Sequence, residues 1–148
     1  MENILQIRKM IEEDIPQLAL LYKQFWGESS SIENMYKLFN KLKRNPNYIF
    51  LSAVDNNILA GSVMGIICEE LYGECKPFMI LEDLIVDIDY RRKGIGKLLI
   101  EEIEKYAKEA NCTQILFVTE NMRKDACDFY ASMGFNPDSH KGFKKLLK

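Results

Sequence analysis

The 148-residue chain contains a single histidine, a single tryptophan and four prolines. Its one imidazole, His140, stands beside Lys141 near the C-terminus, so zinc-type metal sites lack ligands. A Ser-His or Cys-His hydrolase would have to use that residue, and nothing beside it supports the assignment. Cys68, Cys75, Cys112 and Cys127 form no C-x-x-C pair, and three of them fall in apolar patterns. They read as reduced thiols in or near a core, which fits a cytoplasmic protein. No apolar run approaches the ~20 residues of a membrane helix, and the N-terminus lacks a signal-peptide pattern. A net charge of -2 gives no general pull toward nucleic acid or an anionic membrane. There is no internal repeat, linker or low-complexity stretch. What remains, 47% hydrophobic and 28% charged, suits one soluble domain, residues 1–148, with a single core.

The informative stretch is LEDLIVDIDYRRKGIGKLLIEEIEKYAKEA, residues 81–110. An apolar strand runs into a basic turn, and the turn opens a long amphipathic helix. Arg91, Arg92, Lys93 and Lys97 bring positive charge, while Gly94 and Gly96 let an anion approach their amides closely. The free N–H groups of a helix start favour a bound phosphate. A nucleoside-triphosphate loop would need Ser or Thr after Lys97, where Leu98 stands, and a dinucleotide fingerprint would need a third glycine at Leu99. Both common phosphate motifs are therefore excluded.

The surrounding pattern is alternately strand and helix. Ile95, Leu98, Leu99, Ile103, Tyr106, Ala107 and Ala110 mark one buried helix face, and residues 112–120 read as the following strand. Strand, crossover helix and strand make a parallel βαβ unit whose ligand end carries the basic turn. A further helix has the stripe Ala126, Phe129, Tyr130 and Met133 and stops at Gly134. Upstream, residues 4–10 read as a strand, Asp14 and Pro16 start a helix, and a second helix spans about 32–42. Residues 48–54 and 58–68 form a hairpin across Asp55-Asn56-Asn57, and residues 78–86 form the strand before the turn.

Two strings, Arg91-x-x-Gly94-x-Gly96 and N-x4-A-x2-FY-x3-GF from Asn121 to Phe135, resemble the acyl-CoA motifs of the GNAT superfamily of N-acetyltransferases. The element order βααβββαβαβ(β) is similar as well, so the resemblance covers almost the whole chain. It implies the α/β (α+β) GNAT acyl-CoA N-acyltransferase fold, a central mixed twisted sheet of six to seven strands flanked by about four helices. It also implies acetyl-CoA bound by Leu84, Ile85, Val86, Arg91, Arg92, Lys93, Gly94, Ile95, Gly96, Lys97 and Asn121, with backbone amides near 84–86 facing the thioester oxygen. Ile88 and Arg92 depart from the pattern, which often has proline and glycine there; neither change removes a cradle amide.

Acetyl transfer needs a neutral amine, and an alkylamine of pKa ~10.4 is neutral about once in 2,500 molecules at pH 7. A carboxylate can serve as base. By strand alternation Glu82 and Asp83 point to opposite faces, so only one faces the substrate easily. LEDL resembles the run of small-amine acetyltransferases of the diamine and thialysine type, which favours Glu82 as base; the other reading is that both acids form salt bridges or hold a cation. Tyr130 resembles the family's acid for the departing thiolate, or is one more member of its helix stripe. Glu69, Glu70, Glu74, Glu82, Asp83 and Glu28 would draw a cationic amine, or are solvated surface. Trp26 either walls the acceptor site with Glu28 and Asp83 or anchors its helix end. The implied activity is direct N-acetylation of a small cationic amine, with no nucleic acid or membrane partner and a possible homodimer. A protein N-terminal or lysine acetyltransferase and a non-catalytic acyl-CoA-binding module are the alternatives.

Overall fold

The structure is a computed structural model describing residues 5–120 and 123–148. Its contacts divide the chain into two compact units, Met1–Leu116 and Phe117–Lys148.

The first unit runs β1 (Leu5–Lys9), α1 (Ile15–Trp26), α2 (Ile32–Leu42), β2 (Tyr48–Asp55), β3 (Ile58–Cys68), β4 (Phe78–Val86), α3 (Ile95–Glu109) and β5 (Ile115–Leu116). The sheet order follows the chain order: β1 to β4 pair antiparallel and β5 joins β4 in parallel. Local chemistry explains these boundaries. Pro16 sits in the first turn of α1, where a missing N–H costs nothing. Ser31 caps α2 by accepting from the Asn34 N–H at 3.3 Å. The β2–β3 hairpin turns on Asn56 and Asn57, whose φ values of 46° and 68° are the left-handed pair that a two-residue turn requires.

Helices cover both faces of the sheet. A Cβ on Gly65 would lie 3.0 Å from Ile103 Cδ1 and 3.1 Å from Met79 Sδ, and one on Gly61 would lie 3.3 Å from Ile95 Cγ2 and Leu99 Cδ1. Those glycines therefore face α3, which packs there through Ile95, Leu99, Ile103 and Ala107, all buried. On the other face Ile15, Leu18 and Leu21 of α1 and Phe39 of α2 close over Met10, Leu59 and Ile85. Burial of these apolar surfaces is the main driving force for the unit.

Asp14 stands at the start of α1 as its sequence position suggests, but its side chain does not cap the helix. The carboxylate turns inward, 2.7 Å and 2.9 Å from the Arg8 guanidinium, and accepts from the Ile11 N–H and the Ser52 hydroxyl. Burial alone would raise this carboxyl; the bonds from Arg8, Ile11 and Ser52 outweigh it and hold the group below the usual carboxylate range.

In the second unit α4 (Lys124–Ser132) is followed by Gly134, with φ +92°. Tyr130 packs on Phe117 at 4.3 Å between ring centroids, with Phe129 at 5.4 Å and Phe135 edge-on at 6.1 Å. The stripe expected on this helix is half-buried rather than core. Two expectations need correction. The strand expected over residues 112–120 is limited to Ile115–Leu116, and no strand follows Phe135, so the described sheet has five strands rather than six or seven. A strand exists only where a ladder pairs it, and β5 aligns with β4 only at Met79 and Ile80. The few apolar residues of the tail, Phe143, Leu146 and Leu147, are 80–90% exposed.

Candidate active site

A break in β4 builds the site. In the β3–β4 ladder Ser62 faces Ile85 and Met64 faces Glu82, so Val63 alone opposes both Asp83 and Leu84. One extra residue in β4 makes a β-bulge, and Asp83 takes it up at φ +54°, left-handed for a non-glycine residue. The bulge shifts the phase of the strand. Before it, Met79 reaches Gly65 on the α3 face; after it, Ile85 joins the α1–α2 core. Met64 adjoins Gly65, so Met64 and its partner Glu82 point away from α3, toward α1.

Asp83 sits at the bulge itself, between the two phases of the strand. Burial, and next the charge of Asp83, push the Tyr22 phenol of α1 well up. The bulge breaks simple alternation between the two halves of β4, with Met79 on the α3 face and Ile85 on the α1–α2 face, and the Asp83 charge reaches the Tyr22 phenol. Burial also raises the Asp83 carboxyl, which makes it a stronger base than an exposed aspartate.

Aromatic groups gather at the end of α1. Tyr22 packs on Trp26 at 5.4 Å, and Phe25 meets Trp26 edge-on at 4.9 Å. Trp26 ends α1 and is 51% exposed. Glu28, just beyond, is exposed. Tyr22 escaped the sequence reading because it fits the apolar stripe of α1; its i,i+4 spacing to Trp26 was the available signal. The proposed cluster of acids is divided. Glu69, Glu70 and Glu74 lie on the connection ahead of Phe78, at the far end of β4 from Glu82 and Asp83, and Glu74 pairs with Lys76 at 3.6 Å.

Past Val86 the same strand enters the basic turn. Asp87 donates its N–H to Ala60 O at 2.8 Å, and the Ile88 N–H donates to Gln24 Oε1 of α1 at 3.0 Å. A 3₁₀ turn at Ile88–Tyr90 then leads into Arg91, whose Nε donates to Val86 O at 3.2 Å. Arg92 has φ +62° and Gly94, the N-cap of α3, φ +81°. A Cβ at Gly94 would meet nothing within 4 Å, so backbone conformation, not packing, calls for glycine here. Gly94 offers no side chain to cap α3, and the helix closes from the Leu98 N–H to Gly94 O at 3.1 Å. The amides of Ile95, Gly96 and Lys97 precede that bond and have no helical acceptor. Arg91, Arg92, Lys93 and Lys97 are exposed around them, whereas the Ile95 side chain is buried and supplies only backbone. This uncapped, cation-ringed helix start fits a phosphate group.

Glu82 belongs to the first unit and Tyr130 to the second. Asn121 lies outside the described residues. A separate cavity of about 470 Å³, lined by Lys9, Phe39, Lys43, Tyr48 and Tyr106 among others, opens at the opposite end of α3 from the cradle. No motif leads to it.

Comparison with known proteins gives this geometry its context. The chain is 34% identical over 58 residues to streptothricin acetyltransferase A of Bacillus subtilis, a match taking in 39% of this chain and 34% of that protein. It is 26% identical over 138 residues to N-alpha-acetyltransferase 30 of Xenopus laevis, covering 93% of this chain and 49% of the relative. These curated relatives are thus matched over a third to a half of their length. The solved structure of an aminoglycoside acetyltransferase from an uncultured soil metagenomic sample superposes with a TM-score of 0.80 at 28% identity, over 97% of each chain. The family model described as acetyltransferase (GNAT) family matches residues 15–135, which take in the bulged strand, the cradle and the tyrosine helix. The chain belongs to the GNAT acetyltransferase family.

Proposed function

We propose that the protein, acting as one domain in the cytoplasm, transfers the acetyl group of acetyl-CoA directly to a primary amine of a small cationic acceptor. The observation that carries this reading is the bulge in β4. It leaves Glu82 on the α1 side and sets Asp83, whose charge acts on Tyr22, at the break, while the same strand continues into the cation-ringed start of α3. One strand thereby serves both substrates.

The roles follow from the chemistry. The amides at Ile95, Gly96 and Lys97, with the surrounding cations, hold the pyrophosphate of acetyl-CoA, which supplies the activated acetyl group. Asp83 and the faces of Trp26 and Tyr22 hold the acceptor's ammonium, since a carboxylate and aromatic rings both favour a cation. Glu82 takes the proton from the amine that attacks, and Tyr130 returns one to the departing sulfur. Backbone N–H groups in the 84–86 stretch stabilise the oxygen as it gains charge. Asn121 adds a contact along the cofactor arm.

A protein N-terminal or lysine acceptor is the second reading, favoured by the match to N-alpha-acetyltransferase 30 over 93% of this chain. Pairing into a homodimer is compatible with either. Calorimetry tests the shared premise. The wild type binds CoA, and Gly96→Glu, which puts bulk and negative charge at the pyrophosphate, lowers the affinity by at least about 100-fold, the scale of losing a few charge-assisted hydrogen bonds. Unchanged binding would remove the cradle from the account.

A further inference from the structure

The cradle is anchored unevenly. Up to Arg91 it is held by the bonds from Asp87 to Ala60, from Ile88 to Gln24, from Tyr90 N to Asp87 O and from Arg91 to Val86. Between Arg91 and the first bond of α3 lie Arg92, in a left-handed conformation, and Lys93. Among the described residues the contact on this stretch is one of side chains: the Lys93 ammonium sits 5.2 Å from the centre of the Tyr90 ring. Tyr90 is in turn tied to the sheet, its hydroxyl donating to Asp55 Oδ2 at 3.1 Å. Asp55 is the last residue of β2 and is paired on both sides, with Leu5 of β1 and Ile58 of β3, so its backbone is fixed. Its other oxygen, Oδ1, is buried without a hydrogen-bond partner among the described residues. A buried oxygen left in that state costs free energy and calls for a reason.

We infer that Asp55 and Tyr90 are positioning residues for the phosphate cradle: Asp55, immobile in the sheet, orients Tyr90, and the Tyr90 ring holds the Lys93 ammonium in place to meet the cofactor's phosphates. A phenol that donates to a carboxylate is richer in electrons, which strengthens the ring's hold on a cation. A lysine held in one place surrenders less side-chain entropy on binding than a free one. This rests on the acyl-CoA reading above.

The test compares donors with and without those phosphates. CoA affinity is measured by calorimetry for the wild type, Tyr90→Leu, Tyr90→Phe, Asp55→Ala and the Tyr90→Phe/Asp55→Ala double variant, and turnover is measured with acetyl-CoA and with S-acetylpantetheine. Tyr90→Leu should weaken CoA about fivefold or more, the scale of a cation–π contact together with a misplaced phosphate ligand. Tyr90→Phe keeps the ring and should lose about two- to threefold. Asp55→Ala should match it, and the double variant should add nothing further, because both remove one hydrogen bond. The kcat/KM for S-acetylpantetheine should stay within about twofold of wild type throughout, since that donor has no phosphate for Lys93 to meet. CoA binding by Tyr90→Leu equal to wild type would overturn the inference. Parallel losses with both donors would also overturn it, by making Tyr90 a general structural residue. A wild type that fails to bind CoA would instead remove the acyl-CoA reading itself.

Discussion

Asp83 combines three costs in one residue: a left-handed backbone, a half-buried carboxylate, and a charge that acts on the Tyr22 phenol. Such costs persist where function repays them. Its consequence for stability has a definite sign. Burial raises the folded carboxyl above its unfolded value, so the folded state holds the proton more tightly. The stability this provides is complete below the unfolded value and is lost as pH rises through the folded one. Asp83→Asn removes the ionisation, and asparagine tolerates φ > 0 better than most residues. We therefore expect Asp83→Asn to melt above the wild type at pH 7 to 8, with the difference shrinking toward zero as pH falls below about 4. Its KM for a cationic amine should rise while CoA affinity holds. A melting difference independent of pH would mean that the Asp83 charge is not the strained element.

At the scale of elements, the strand–turn–helix from β4 into α3 depends on close approach between sheet and helix. A Cβ at Gly61 would lie 2.9 Å from the Ile85 carbonyl oxygen as well as against Ile95 and Leu99. The backbone cannot move aside cheaply, so Gly61→Ala should cost about 2–3 kcal/mol in denaturant unfolding, the upper part of the range for overpacking. A cost near zero would show that α3 can shift without penalty. This region also marks how far sequence pattern reaches. The bounds of β4 and α2 were legible from apolar period and turn residues, and the basic Gly94–Gly96 turn from its own composition. The bulge was not legible, because one inserted residue leaves no trace in a run of Leu, Ile and Val. The expectation that β4 alternates without a break failed for that reason. Tyr22 was hidden in an ordinary helix stripe, and the Asp55–Tyr90 hydrogen bond joins residues 35 positions apart, which no local pattern reports. The tail beyond Phe135 erred in the other direction, since the family's element order implied a further strand although no ladder pairs one there.

At the scale of the molecule, two requirements meet in one chain. On the proposed reading, acyl-donor binding rests on a helix start with its cations, and acceptor binding on the carboxylates of β4 and the aromatic rings of α1. The family match runs through both, from Ile15 to Phe135. The most direct test is thiol release from acetyl-CoA across a panel of polyamines, aminoglycosides, lysine analogues and short peptides, run on the wild type, Glu82→Gln and Tyr130→Phe. The account predicts turnover with a small cationic amine. Glu82→Gln should be about 100-fold slower, with its deficit greatest at low pH where few amines are already neutral. Tyr130→Phe should be slowed about as much while binding CoA as tightly as the wild type. Turnover confined to peptides would contradict the small-amine acceptor, and CoA binding with no thiol release from any amine would contradict the enzyme.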